Sequence, residues 1–179
     1  DALRQAQTPR RVAVDRHNAR LRRGANKYPY LHVNRETTMP SELSEAGFHT
    51  NPIQNQLNMN DKWKRLEAKT FFWSILKYHN IVRPFAGTVA GIIKDIESNI
   101  PVNGATVELN GQKDTTDTFE SLFHLYTNDP NLLHNGFYYL EDIPAGTFPL
   151  KITAPDYDSL IVNVTIIDTF FTFKDISLI

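Results

Sequence analysis

The chain has no cysteine, which excludes disulfide scaffolds, thiolate metal sites and cysteine nucleophiles in one stroke. It also has no apolar run near the roughly 18 residues that a bilayer-spanning helix requires, so no transmembrane segment is expected. Net charge is nearly absent, at −1, but it is unevenly placed. Residues 1–35 carry nine Lys/Arg against two Asp/Glu, a basic arm on a mildly acidic body. That arm lacks aromatics among Arg10, Arg11, Arg16, Arg20, Arg22 and Arg23, and it holds no recognisable reader motif; a solvated helix face is expected, with no nucleic-acid partner. Met is missing from the first position and no hydrophobic leader follows, so a processed product or a fragment is expected.

What is present divides by period. At 179 residues with 41% hydrophobic side chains, the chain can build one large core or two small ones. Residues 1–21 favour helix, and Tyr28 to Asn34 alternates in the manner of a strand. A loop through Pro40 follows, and then Gln54 to Asn80 reads as one amphipathic helix that Asn58 or Asn60 can cap at an internal start. Arg83-Pro84 ends that helix, and from Phe85 the period changes to two. GTVAGIIKD and GATVELNG read as a hairpin, with further short strands in GFYYLEDIPAGTFPLKITA and SLIVNVTII. The Thr- and Asp-rich insertion from Asp114 to Leu133 interrupts them as a long loop or short helix over one end. The expected division is therefore 1–82, an α/β segment, and 83–179, an all-β antiparallel sandwich.

The second part carries G-x-V-x-G at Gly87, Val89 and Gly91, P-V-x-G-A-x-V from Pro101 to Val107, Gly136-Phe137, and I-P-A-G from Ile143 to Gly146. Gly91 and Gly104 suit backbone crowding or positive φ, and Pro144-Ala145-Gly146 suits a tight turn. Together they resemble a carboxypeptidase-regulatory-like or transthyretin-like β-sandwich, a kind of domain that implies a spacer or interaction module rather than a chemistry. His124, His134 and Asp129 match no standard metal spacing and read as loop residues. Phe119, Phe123, Tyr126, Phe170, Phe171 and Phe173 read as core, with a sugar- or protein-binding surface as the alternative.

In the first part, Val33, Arg35, Met39, Pro40, Leu43, Glu45, Gly47, Phe48, Asn51 and Pro52 stand in the order of a strand, a loop and a helix entry. This arrangement resembles the C-terminal portion of the zinc-dependent N-acetylmuramoyl-L-alanine amidase catalytic domain, an incomplete amidase sheet domain here. The resemblance implies that Glu45 is the catalytic carboxylate, that zinc is the cofactor, and that peptidoglycan or a muropeptide is the substrate in a cell envelope, periplasmic or extracellular. Such chemistry needs a carboxylate to move a proton from water to the leaving amine beside a metal that polarises the amide. Glu42 lies outside the motif and reads as a surface acid.

The same resemblance places two histidines and a further glutamate upstream as the metal ligands. His17 is followed directly by Asn18 and lies too near Glu45 to fill that role; His32 and His49 stand at other positions of the motif region. The chain alone is therefore expected to be inactive, with ligands supplied by an associated N-terminal amidase segment. The reading from a different class is a non-catalytic envelope scaffold or binding module that uses the sandwich with an envelope partner.

Overall fold

The computed structural model describes residues 50–168 and 170–179. The chain divides into two compact units, Asp1–Gln54 and Asn55–Ile179. Described elements begin with helices α1 (Pro52–Met59) and α2 (Asp61–Tyr78). Strands β1 (Gly87–Asp95), β2 (Thr106–Leu109) and β3 (Gln112–Thr115) follow, then a 3-10 turn (Leu122–Leu125) and the short helix α3 (Pro130–Leu133). The chain closes with β4 (Phe137–Ile143), β5 (Gly146–Thr153), β6 (Leu160–Ile166), β7 (Phe171–Phe173) and β8 (Ile176–Leu178).

The strands form a β-sandwich of two four-stranded sheets. In the first, β1 is the hub: it pairs antiparallel with β4 and parallel with β7 and then β8. The second runs β3-β2-β5-β6 and is antiparallel throughout. Val89, Ile93, Val107, Leu109, Tyr138, Ile143, Leu150 and Ile152 fill the space between the sheets.

The two sheets differ in what covers their outer faces, and the burial patterns record it. β5 and β6 alternate between buried and exposed positions, as strands with one solvated face do. β1 is buried at every residue from Gly87 to Ile93, so its second face is also covered. The cover is α2. Trp63 meets Phe137 of β4 edge-on at 5.3 Å between ring centroids, and Trp73 lies 4.3 Å from Phe171 of β7. β1 lies between those two strands, so the helix crosses it. Trp63, Leu66, Trp73 and Leu76 form the buried stripe of α2, at the three- and four-residue steps of a helix face.

Several sequence expectations meet this architecture directly. Asn60, rather than Asn58, caps the start of α2, its side chain accepting the Trp63 N–H at 3.0 Å. The single helix expected from Gln54 is two helices broken at this cap. Gly91 is required by a close approach: a Cβ there would collide with the Lys174 carbonyl, where the strand beside β1 changes from β7 to β8. At the same break Asp175 Oδ1 accepts the Ile92 N–H at 2.9 Å in place of a backbone acceptor. Gly104 has φ +76°, as its place in the motif suggests.

The expected hairpin of β1 with β2 is corrected: the two lie in opposite sheets, and β1 pairs with β4. Val102 N–H bonds back to Ile93 O at 2.9 Å, and the chain then leaves the first sheet for the second. The true hairpin joins β2 to β3 through Asn110 and Gly111, both at positive φ, the geometry that an Asn-Gly pair favours in a two-residue turn. Asp114 and Thr115, read as the start of the insertion, are the end of β3. The division expected at 82/83 falls inside the unit Asn55–Ile179, with α2 packed on the sandwich.

Trp73→Ala is expected to lower unfolding stability by about 3–5 kcal/mol, the usual cost of emptying a large aromatic site, in urea titration. Ile75→Ala, on the exposed side of the same helix, is expected to cost less than about 0.5 kcal/mol.

Candidate functional site

Glu45 lies outside the described residues, as do Glu42, His17, His32 and His49. Of the ten amidase-like positions, Asn51 and Pro52 are described. Asn51 Oδ1 accepts the Gln54 N–H at 3.2 Å and Pro52 is the first residue of α1, so this pair opens a helix.

The histidines of the insertion do not converge. His124 Nδ1 is 3.0 Å from Ser121 O, and His134 Nε2 is 3.9 Å from Glu120. Asp129 caps α3, accepting from the N–H and the side-chain amide of Asn131 at 3.0 and 3.1 Å. No group of three His, Asp or Glu side chains able to hold a metal occurs among the described residues, so those residues do not fit zinc.

The polar side chains that do converge lie along the seam between α2 and the sandwich. Lys62 donates to Thr115 O and forms an ion pair of 2.6 Å with Asp114. Asp114 also accepts the Tyr139 N–H at 2.9 Å, from the edge of β4. One turn further along the helix, Glu141 is held by Arg65, by Lys69 at 2.9 Å and by the Tyr139 hydroxyl at 2.8 Å. Burial alone would raise the Glu141 carboxyl, but hydrogen bonds from Lys69 and Tyr139 and the charges of Lys69 and Arg65 outweigh it and hold it below the usual range. Burial, and then the Glu141 carboxylate, push the Tyr139 hydroxyl up.

A second chain of contacts fixes the start of the helix. The Asn60 amide donates to Asp117 at 3.0 Å, and Asp117 accepts from Asn135 at 2.7 Å. Asn103 in turn accepts the Asn135 and Gly136 N–H groups at 3.2 and 3.1 Å. Each of these groups is engaged within the fold, so the arrangement positions a helix rather than activating a nucleophile.

At the other end of α2, a cleft of about 200 Å³ is lined by Thr70, Trp73, Ser74, Arg83, Phe170 and Phe171. The Arg83 guanidinium lies 5.1 Å from the Trp73 ring and Lys69 Nζ lies 5.7 Å from it, so cations already sit over this aromatic. The expectation that the late aromatics are core is corrected: none of the six is buried. Phe123 and Phe171 are half-buried, Phe171 against Trp73, whereas Phe170 and Phe173 are exposed and Phe119 and Tyr126 of the insertion are 65% and 84% exposed, alongside exposed Leu122 and Leu125. Among the described residues, no helix is long and apolar enough to cross a membrane.

Sequence reasoning missed Glu141, Asp114, Asp117 and Asn135 as a group, because nothing in their spacing ties four loop and strand residues to one helix. The one available signal was the pair Glu141-Asp142, two charges inside an otherwise apolar strand, FYYLEDI.

No family model and no curated protein matches the chain. Among solved structures it is similar to the Bacillus anthracis TIE protein, at 17% identity over 52% of this chain and 16% of that one, with a TM-score of 0.39. It is also similar to a putative carbohydrate binding protein from Bacteroides uniformis, at 14% identity over 52% and 41% of the two chains, TM-score 0.34. A third is BcpA, the major pilin subunit of Bacillus cereus, at 15% identity over 53% and 30%, TM-score 0.35. The chain spans less than half the length of each of these three. The overlaps are partial, and the β-sandwich rests on the strand pairing itself.

Glu141→Gln is expected to lower stability at neutral pH by roughly 1.5–3 kcal/mol, the range for charged hydrogen bonds. Because the folded carboxyl sits below its unfolded value, its contribution is complete above the ordinary Glu pKa of about 4.3 and disappears as pH falls through the folded value. Thermal unfolding from pH 7 to pH 3 should therefore show a smaller acid-induced fall for the variant than for the parent.

Proposed function

We propose that this chain is the carboxyl-terminal part of a cell-envelope peptidoglycan amidase, hydrolysing the N-acetylmuramoyl-L-alanine amide bond. A non-catalytic sandwich of the carboxypeptidase-regulatory-like, transthyretin-like kind is fused behind the motif. The observation that carries the reading is the ordered set of ten residues from Val33 to Pro52 with Glu45 at its centre. The helix entry at Asn51-Pro52 agrees with it. In this proposal Glu45 takes a proton from the attacking water and returns one to the leaving amine. The resemblance implies zinc from ligands upstream of the motif; the described residues offer none.

A second reading, a binding or scaffold module of the envelope, is favoured by one observation: the insertion displays Phe119, Leu122, Leu125 and Tyr126 to solvent together. The two readings separate on the protein as isolated from its source. Under the amidase reading, muropeptide cleavage is present, zinc is found on elemental analysis, and Glu45→Gln abolishes cleavage while the thermal unfolding profile stays the same. Cleavage unchanged by Glu45→Gln would remove the role of Glu45. Absence of both zinc and cleavage would leave the scaffold reading.

A further inference from the structure

A sandwich of two open sheets has four edge strands, each a row of backbone groups able to pair with another chain. Three of the four edges are blunted here. β3 is four residues long and carries Lys113 and Asp114, and its end is tied to the helix by Lys62. β4 gives the Tyr139 N–H to Asp114 and carries Glu141 and Asp142 toward the cations of α2. On the far side of the first sheet, β7 and β8 are three residues each, broken between by Lys174 and Asp175. β6 has none of these devices. It is seven residues long, LIVNVTI, without charge or proline.

The direction of its free backbone groups follows from its pairing with β5. In an antiparallel ladder, residues that bond to the neighbour alternate with residues whose N–H and C=O point away. Asn163 stands opposite Pro149, which has no N–H, so that pair belongs to the non-bonded set. Two positions on, Thr147 and Thr165 approach to 2.9 Å between hydroxyls, the closeness expected of the same set. Ile161, Asn163 and Thr165 therefore present their backbone groups outward. Their side chains are exposed on the solvent face, while Leu160, Val162, Val164 and Ile166 turn toward the core.

We infer that β6 is a pairing edge for a second copy of this chain, joined antiparallel about a twofold axis through Asn163. The strand is nearly palindromic about that residue. The twofold puts Leu160 opposite Ile166, Ile161 opposite Thr165, Val162 opposite Val164 and Asn163 opposite itself, with no like charges inside the strand. Three outward residues on each copy give about six backbone hydrogen bonds and one continuous sheet of eight strands across the pair. Because the other edges are blunted, association closes at two copies. Just beyond the strand ends Asp158 falls opposite Asp168 of the other copy, so the pairing strengthens as salt screens that repulsion. The inference does not depend on the amidase reading.

The test is sedimentation velocity on the full chain over a range of concentrations. A reversible dimer is expected, with Asn163→Lys and, separately, Thr165→Lys weakening it at least about tenfold while far-UV circular dichroism, and the thermal midpoint at concentrations where the parent is monomeric, stay unchanged. The register has its own readout, since the chain has no cysteine. Asn163→Cys should crosslink to itself under mild oxidation, Ile161→Cys should not, and an equal mixture of Ile161→Cys with Thr165→Cys should. A parent that stays monomeric at all concentrations, or a dimer that survives both lysine variants, overturns the proposal. So does equal crosslinking of Ile161→Cys and Asn163→Cys. A monomer that instead captures an extended peptide along β6 would also overturn the second-copy assignment.

Discussion

Helix α2 lying across the first sheet is the constraint from which most of the structure follows. A sandwich normally leaves both outer faces to water, and its strands alternate accordingly. Here Trp63 and Trp73, ten residues apart on one helical stripe, anchor the helix to β4 and β7 and close the outer face of the strand between them. That is why β1 is buried on both sides while β5 and β6 are not. The result is a helix-sheet-sheet arrangement in which the most buried strand is also the hub of pairing.

Aromatic packing sets the depth of the helix, and the polar seam sets its register. Asn60 has two jobs at one position: its carbonyl oxygen caps α2 and its amide reaches Asp117, so the start of the helix cannot slide without leaving buried polar groups unpaired. Further along, Asp114 and Glu141 take cations from the helix and N–H or O–H groups from Tyr139, which ties two sheet edges to one helix. The same contacts that position α2 blunt the β3 and β4 edges. The distribution of edge protection around the molecule, with β6 left open, is a consequence of where the helix lies.

Much of the sandwich was legible in the sequence because its signals are local. The change of period after Pro84, the glycines at 91 and 104, and the Asn-Pro helix entry each report a backbone requirement within a few residues. Sheet membership was not legible. GTVAGIIKD and GATVELNG follow one another like a hairpin, yet the crossing at Val102 sends them to different sheets, a decision made by the packing of the two layers. The amphipathic pattern of α2 showed that it buries one face without saying against what. The candidate site divides in the same way: Glu45 is carried by a sequence motif and lies outside the described residues, whereas the Glu141 cluster exists only once β3, β4 and α2 are assembled.

The direct measure of the central claim is native-state hydrogen exchange of the amides of α2 and β1. If the helix is an integral layer of the sandwich, the buried-stripe amides at Leu66 and Trp73 should exchange with the same opening free energy as those of Val89 and Ile93, and should shift together on mild destabilisation. Rapid exchange of α2 while β1 stays protected would contradict the account.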